Sequence, residues 1–272
     1  MKIYAICLVK NEVDVLARCL NSATAWAEKV IVYDNGSTDG TWELAQQLAQ
    51  ENSAIIAWKQ DDKAFYEGLR GEAFDAFRHL AKEGDWWCFR LDADEFYPEN
   101  PREQLQATPV KYHVVAKKSI QYFITHEDIA EYDFTRLIPV NFDNIRYYHP
   151  KTYTEVRFFR HRQRLKWEPG RDMPRHMGIV SPHMIKVQHF QFRSIPQMME
   201  RIETRAAARK QGFYNWDFAD NPDWRQLLLS RAETVYDNRD GAWQIHDPGL
   251  KRMHVLHKYI MKRLLHTLRI LP

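Results

Sequence analysis

The first 91 residues alternate between short apolar runs and longer segments with helical spacing. Strands are predicted over residues 2–9, 29–33, 53–59 and 86–91, and helices over 12–26, 41–50 and 66–82. Strand–helix alternation, with strands that are apolar throughout, indicates a parallel sheet with helices on both faces. The sequence therefore predicts an α/β fold with a Rossmann-like, mixed but mainly parallel sheet flanked by helices.

The rhythm changes after Pro98. Strand-like runs at 112–116, 120–124, 157–159 and 184–191 are separated by loops rich in His, Arg and Tyr, and helices are predicted over 194–211, from 221 and within 250–272. We expect a domain over 1–195, with halves at 1–100 and 101–195. A helical C-terminal extension over 196–272 follows it.

Composition excludes several classes of protein. The 272 residues are 44% hydrophobic, and the net charge is only +3, so the chain has enough apolar residues for a folded core. Three cysteines are too few for a disulfide framework. The N-terminus MKIYAICLVKNE does not resemble a signal peptide, and no run of apolar residues is long enough to span a membrane. These features predict a cytoplasmic protein.

Acidic side chains follow two of the predicted strands. Asp34 comes at the end of VIVYD, and Asp92 and Asp94 follow WWCFRL. In open α/β sheets, ligands bind beyond the carboxyl ends of the strands, so both clusters are expected on one edge. The spacing Asp92-Ala93-Asp94 can direct two carboxylates at a hard cation, Mg²⁺ or Mn²⁺, held jointly with a substrate phosphate. The alternative is a loop with solvated acids.

The segment DNGSTDGT, residues 34–41, has two interpretations. Asn-Gly and Asp-Gly are common turn dipeptides, so the segment can be a turn alone. It is also longer than a turn requires, and its side chains can bind a base edge while the helix start favours a phosphate. The residues leave both interpretations open.

Four sequence blocks occur in an order that resembles a known family. They are ICLVKNEVDVLARCLNS, VIVYDNGSTDGT, the helix with Arg70, and LDADEF. Together they resemble the family 2-like glycosyltransferases, which have the GT-A fold. The Asp-Glu-Phe ending and the later HFQFRS resemble a bacterial subgroup that assembles surface polysaccharides. The resemblance implies a metal-dependent, inverting transfer of sugar from a nucleotide-diphosphate donor, a UDP- or GDP-sugar, to a saccharide or lipid-linked saccharide.

The resemblance also implies roles for individual residues. Donor-binding roles fall to Val9, Asn11, Glu12, Asp34, Asn35, Arg70, Asp92 and Arg193. Asp92, Asp94 and His189 would hold Mn²⁺ or Mg²⁺, with Asp94 as the main ligand and a catalytic residue. Arg70 would face the diphosphate, for which an arginine fork is well shaped. Many relatives have two acids where Asp34 and Asn35 stand, so Asn35 leaves the preferred base open.

The catalytic base is harder to assign, because the family's later acidic motif has no clean copy. A carboxylate should take the proton from the acceptor hydroxyl. The acids in the loop-rich half are Glu127, Asp128, Glu131, Glu168 and Asp172. Among them we favour Glu168, because the neighbouring Trp167 would offer an aromatic platform for a sugar ring.

Two regions are rich in basic residues. Residues 151–175 carry eight Lys/Arg against three acids, but no nucleic-acid motif is present, so we expect no nucleic-acid partner. An acidic glycan acceptor and a solvated surface stay open there. Residues 250–272 carry six Lys/Arg, three His and no acid, with apolar residues at helical spacing. This helix either lies on the inner face of the cytoplasmic membrane or packs its apolar stripe on the domain.

Two other classes of function compete with a transferase. A non-catalytic sugar-nucleotide or glycan-binding protein could retain the same fold and strand-end acids. A sugar nucleotidyltransferase shares the sheet and the metal chemistry. It usually begins with a glycine-rich basic loop, which ICLVKNEVD lacks.

Overall fold

The protein is described by a computed structural model that covers residues 1–136, 142–210, 223–246 and 256–271. The chain divides into two compact units whose segments alternate along the sequence. The first contains Met1–Lys118, Tyr153–Val187 and the described part of 248–272. The second contains the described parts of 119–152 and 188–247. This division interleaves along the chain, whereas the boundary expected near residue 195 is sequential and stays a prediction.

The first unit is built from alternating strands and helices at its N-terminal end. Its elements in that region are β1 (Ile3–Val9), α1 (Leu16–Thr24), β2 (Lys29–Asp34), α2 (Thr41–Glu51), β3 (Ile55–Gln60), α3 (Leu69–Phe77), β4 (Trp86–Cys88), β5 (Glu95–Phe96) and α4 (Pro101–Ala107). Strand β6 (Val114–Phe123) begins in this unit, β8 (Thr154–Arg160) lies within it, and α7 (Leu256–Thr267) ends its described part.

The sheet of the first unit confirms the predicted α/β fold. Strands β3, β2, β1 and β4 lie side by side and are all parallel. Strand β8 pairs antiparallel with β4 on one side and with β6 on the other, which makes the sheet mixed. Because β2, β1 and β4 run in the same direction, their carboxyl ends share one edge. Strands β2 and β4 lie on either side of β1 and are therefore two strand spacings apart, about 10 Å.

Helices cover the sheet because the central strand is apolar on both faces. All seven residues of β1 are buried. On one face Tyr4 and Ile6 pack in a core cluster with Phe74 of α3 and Trp87 of β4. On the other face Cys7 meets Cys19 of α1, and this contact and burial raise the pKa of the Cys19 thiol. A strand buried on both sides is what the continuous apolar run predicts.

The second unit contains fewer strands and helices than the first. They are the end of β6, α5 (His126–Glu131), β7 (Tyr147–His149), the end of β9 (Ile185–His189), α6 (Ile195–Lys210) and β10 (Val235–Tyr236). Strand β7 pairs antiparallel with both β6 and β10. The buried hydroxyl of Tyr122 donates to Asp237 and accepts from Gln188 and Trp243. This polar centre satisfies groups that would otherwise be costly to bury.

Several predicted elements differ from those observed. The strands expected at 112–116 and 120–124 are one continuous strand, β6. The helix expected to reach residue 82 ends at Phe77 and continues only as a 3₁₀ turn. The first two residues of the helix expected to begin at Asn221 lie outside the described residues, and from residue 223 the structure has only a 3₁₀ turn at Trp224–Leu227 in place of that helix. Within the described ranges, none of the helices is long and apolar enough to cross a membrane.

Candidate functional site

The loops after β1 and β2 are pinned to each other by hydrogen bonds. Asn11 has a left-handed backbone with φ 54°, a conformation that asparagine tolerates. Its N–H donates to Ser37 Oγ at 2.8 Å, and its Oδ1 accepts from the N–H of Thr38 at 2.8 Å. The N–H of Glu12 donates to Thr41 Oγ1 at 2.9 Å. The N–H of Asn35 also donates to the carbonyl of Val9. Asn11 and Glu12, which the sequence predicts as donor-binding residues, thus hold the two loops together.

The second half of DNGSTDGT is used for local structure. Asp39 Oδ1 accepts from the N–H of Thr41 at 2.9 Å, and its Oδ2 accepts from the N–H of Val13 at 3.1 Å. These bonds fix the start of α2 and join it to the preceding loop. The part of the segment around Asp39 therefore has the structural role that the turn interpretation predicts.

The first two residues of the segment behave differently. Asp34 is fully buried, and its Oδ1 accepts from the N–H of Ser37 at 2.8 Å and from Gln60 Nε2 at 3.2 Å. Asn35 is also buried, and its Nδ2 donates to the carbonyl of Lys63 at 2.8 Å. Asp34 Oδ2 and Asn35 Oδ1 accept no hydrogen bond from the described residues. Asp34 and its neighbour Asn35 thus each bury one acceptor oxygen that has no donor among the described residues.

Asp92, at the end of the β4 segment, lies between two arginines. Its Oδ1 accepts from Arg70 Nη2 at 3.0 Å, and its Oδ2 accepts from Arg157 Nη2 at 2.9 Å. Burial alone would raise the pKa of the Asp92 carboxyl, but the Arg157 and Arg70 guanidiniums outweigh it and hold that pKa far below its usual range. The side chain of Asp92 keeps 29% of its surface exposed, so it remains reachable by a ligand.

These arginines belong to a larger cluster of opposite charges, which we call the β4–β8 ion cluster. Its cations are Arg70, Arg90, Lys117 and Arg157, and its anions are Glu67, Asp92, Glu95 and Glu155. The four positive charges equal the four negative charges. Such balance is needed because Lys117, Glu95 and Arg157 are almost fully buried.

Glu155 is an acid of this cluster that sequence reasoning missed. Its Oε2 lies 3.1 Å from Arg157 Nη2, the same nitrogen that lies 2.9 Å from Asp92 Oδ2. The two carboxylate oxygens are therefore no more than 6.0 Å apart. The side chain of Glu155 is 31% exposed. Glu155 and Arg157 are two residues apart on a strand and so share a face. This spacing is the sequence pattern from which their pairing could have been predicted.

The predicted metal ligands fall in different places. Asp94 is buried on the loop after β4, close enough to Cys19 to raise the pKa of that thiol. His189 belongs to the second unit, where its Nδ1 lies 3.0 Å from Gln121 Oε1. Among the described residues, no group of three or more His, Cys, Asp or Glu forms a metal cage. The oxygen donors of Asp92 and Asp94 suit a cation that is held mainly by donor phosphates.

The remaining donor-side predictions divide between the two units. Arg70 is buried in the first turn of α3 and also donates to Glu67 at 2.5 Å, so it is an interior residue rather than a solvated one. Its Nε makes no hydrogen bond within the described chain. Arg193 is buried in the second unit, where its Nη1 donates to the carbonyl of Phe190 at 3.1 Å.

The loop that carries Glu168 is seated against the first turn of α3. Trp167 packs on Phe74 and Phe89, and a Cβ added to Gly71 would lie 3.0 Å from the indole ring. Trp167 is therefore a buried core residue, and the expectation that it offers a platform for a sugar was wrong. Glu168 itself is half-exposed and pairs with Arg171 at 3.0 Å and Arg175 at 3.3 Å.

Three of the other acids considered as a base have structural partners in the second unit. Asp128 accepts from the N–H of Thr125 in a capping box at the start of α5 and pairs with Arg231 at 2.7 Å. Glu131 pairs with the same arginine at 2.6 Å, and Glu127 accepts from its N–H. These contacts explain the three acids without a catalytic role, while Asp172 is simply exposed.

Comparison with known proteins adds a family to this geometry. The chain is 38% identical over 102 residues to the lipopolysaccharide core biosynthesis glycosyltransferase LpsC of Rhizobium meliloti, which covers 38% of this chain and 34% of that protein. The match thus spans about a third of the relative's length.

Two solved structures are more distantly similar. One is the mannosyltransferase PcManGT from Pyrobaculum calidifontis in complex with GDP-Man and Mn²⁺, with a TM-score of 0.43, 13% identity, and coverage of 80% of this chain and 66% of that chain. The other is a mycobacterial protein, with a TM-score of 0.26, 21% identity, and coverage of 44% and 41%. Both likenesses are too distant to assign an activity. The model of Glycosyl transferase family 2, however, matches residues 4–179, and the chain therefore belongs to that family.

Proposed function

We propose that this protein is an inverting, metal-dependent glycosyltransferase. It would move a sugar from a nucleotide-diphosphate donor to a saccharide or lipid-linked saccharide in the synthesis of surface polysaccharide or lipopolysaccharide. The observation that carries this proposal is the pair of buried acceptors without a donor, Asp34 Oδ2 and Asn35 Oδ1. They lie at the carboxyl end of β2, on the sheet edge that also carries Asp92 and Asp94 after β4.

The donor would lie along this edge. Asp34 and Asn35 would accept hydrogen bonds from the base or the ribose, because an unpartnered buried acceptor costs about 1–3 kcal/mol that a ligand donor recovers. Val9, Asn11 and Glu12 would border the nucleotide, and Arg70 and Arg193 would bind phosphate oxygens. Asp92 would contact the ribose while it keeps Arg70 and Arg157 in place. A UDP- or GDP-sugar is the expected donor.

The metal assignment rests mainly on Asp94. When bound, Mn²⁺ or Mg²⁺ would neutralise the diphosphate as a leaving group. The carboxylates of Asp94 and Asp92 would hold the ion together with the donor phosphates, and His189 is the further ligand proposed from the family resemblance. The contribution of Asp92 is expected to be the smaller, since both of its oxygens already accept from arginines.

The proposed chemistry is a direct displacement. The acceptor hydroxyl oxygen attacks the anomeric carbon, its proton passes to a carboxylate, and the nucleoside diphosphate leaves with the electrons of the cleaved bond. We retain Glu168 as the base, because its carboxylate is half-exposed and its two ion pairs lie at the surface, where solvent screens them. Glu155 is a second candidate on the strength of its distance of at most 6.0 Å from Asp92.

The first test is thermal stabilisation by nucleotides. UDP, GDP, CDP and dTDP are added separately to the protein and to an Asp94→Ala variant, each with and without Mn²⁺. One nucleotide should raise the Tm of the wild type in the presence of metal, because a ligand that binds only the native state stabilises it by mass action. The Asp94→Ala variant should lose the part of this rise in Tm that depends on metal. No stabilisation by any nucleotide would contradict the proposal.

The same proteins distinguish the rival functions. A transferase should hydrolyse or transfer the donor sugar, and Asp94→Ala should abolish this turnover. Binding without turnover, tested with a panel of saccharide acceptors, would instead indicate a non-catalytic binding protein. Release of pyrophosphate from a nucleoside triphosphate and a sugar phosphate would indicate a nucleotidyltransferase.

A further inference from the structure

The outward face of α7 is apolar. Ile260 and Leu264 are four residues apart and so share one face of the helix, with Met261 beside them, and Leu268 directly follows the helix, where its N–H donates to the carbonyl of Leu264. These four side chains are 50%, 57%, 64% and 55% exposed, respectively. Large hydrocarbon side chains are rarely grouped on the outside of a soluble domain unless they meet a partner.

The helix is held on the first unit by its other face. Lys262 Nζ donates to the carbonyl of Gly178 at 3.3 Å, and the His266 ring packs edge-on against His113 with centroids 4.6 Å apart. Arg164 Nη1 donates to the carbonyl of Arg269 at 2.8 Å, just after the helix. The sequence left two alternatives open for the apolar stripe, contact with a membrane and packing on the domain. The structure shows that the helix does pack, but through its polar face.

The surroundings of this apolar face are basic. Residues 250–272 contain six Lys/Arg and no acid. Arg263 on the helix and Arg269 after it are exposed, and so is Arg164 on the loop that contacts them. An apolar stripe with cations on its flanks complements a surface that has an apolar interior and negative charge at its rim. A second copy of the same face would bring like charges together.

We propose that the outward face of α7 docks on an anionic lipid bilayer. Ile260, Leu264 and Leu268 enter the boundary between headgroups and acyl chains, and the flanking arginines meet the headgroup phosphates. This proposal does not depend on the proposed function. It specifies which side chains would bring the enzyme to a lipid-linked acceptor.

Vesicle flotation of the full-length protein tests this proposal. The vesicles are either phosphatidylcholine alone or phosphatidylcholine with about 30% phosphatidylglycerol, a content that gives a negative surface potential. The wild type should bind the anionic vesicles at least about tenfold more tightly, and added salt should weaken that binding. Leu264→Glu should lower the affinity about tenfold or more, and Arg263→Gln about fivefold. Met199→Glu, which changes a 48% exposed methionine on α6, is the matched control and should bind as the wild type does.

Each other outcome overturns the proposal. Equal binding to both kinds of vesicle would contradict the claim that the lipid surface must be anionic. Equal loss of binding in Leu264→Glu and Met199→Glu would contradict the claim that α7 is the part of the protein that binds it. A concentration-dependent dimer that Leu264→Glu dissociates, without lipid binding, would make this face a contact between copies. Ile260→Ser provides a second variant if Leu264→Glu fails to fold. The Asp94→Ala variant should bind vesicles normally, so failure of the donor-site proposal and failure of this one are distinguishable.

Discussion

At the end of β2, two buried acceptor oxygens lack a donor among the described residues, whereas at the end of β4 both oxygens of Asp92 already accept from arginines. The two strand ends looked alike as sequence, since each is an apolar run followed by acids. The structure separates an incomplete site at Asp34 and Asn35 from a charge-balanced one at Asp92. An acid near the end of a strand is therefore best interpreted by whether its oxygens already accept hydrogen bonds within the protein. The following predictions test this difference between Asp34 and Asp92.

The largest effect is expected on turnover from the base. Glu168→Gln should lower kcat by about 10²–10⁴-fold, because the proton of the acceptor hydroxyl loses its carboxylate. Donor binding, measured by nucleotide stabilisation, should stay unchanged. If Glu155→Gln causes this loss while Glu168→Gln does not, and the variant keeps the wild-type Tm, the base belongs to the β4–β8 ion cluster instead.

A large loss of stability is expected at the centre of that cluster. Arg157→Met should lower the free energy of unfolding by about 3–5 kcal/mol, because it leaves buried Glu95 and half-buried Asp92 without their shared cation. Denaturant unfolding measures this change. The matched control is Arg171→Met, which breaks an exposed pair with Glu168 and should cost less than about 1 kcal/mol. Similar losses in the two variants would refute the claim that the cluster is balanced through Arg157.

Asp34→Asn should chiefly weaken nucleotide binding. The variant replaces one carboxylate oxygen with an amide donor and removes the negative charge, so affinity should fall about 10–100-fold, the value of a hydrogen bond to a charged group. The Tm without nucleotide should change little. Asp39→Asn, in the same loop, should show the reverse, a lower Tm with nearly normal affinity, because Asp39 accepts from Thr41 and Val13. Titration calorimetry measures the affinities and thermal unfolding measures the Tm values. A lower Tm in Asp34→Asn with normal affinity, and weaker binding in Asp39→Asn with a normal Tm, would contradict the prediction.

The smallest effect is a change in the pH dependence of stability. The folded pKa of Asp92 is depressed, so its contribution is present above the unfolded pKa of about 3.9 and is lost as the pH falls through the folded value. Asp92→Asn should therefore differ most from the wild type near pH 7 and converge with it in acid. Parallel Tm–pH curves for the two proteins would show that the two arginines do not act on this carboxyl.

Local sequence predicted the parallel strands of the first unit well because its central strands are apolar on both faces. β1 is buried throughout and Asp34 ends β2 as predicted, whereas β4 ends at Cys88 rather than at residue 91, so Asp92 lies on the loop that follows it. Strand β6 was predicted as two strands, since the polar residues between its apolar ends looked like a break. Those residues include Lys117, whose charge is compensated by Glu95 and Glu155.

The partners of the strand-end acids could not be predicted in the same way. Arg157 lies 65 residues after Asp92, and only the pairing of β8 with β4 brings the two together. Trp167 looked like a ligand platform beside Glu168, yet the absence of a side chain at Gly71 lets it pack into the core. The spacing of the apolar residues in α7 likewise defined a stripe without saying which way it faces. Each of these required three-dimensional contacts between segments distant in the chain.

The balance of charge in the β4–β8 ion cluster also limits how the sequence can change over evolutionary time. Its eight side chains come from four separate stretches of the chain, so no neighbouring substitution can replace a lost partner. A relative that lacks the arginine at position 157 should also lack an acid at 92, 95 or 155. These positions are thus expected to vary together, and a protein that combines segments from two relatives should fold well only if both charges of each pair come from the same parent.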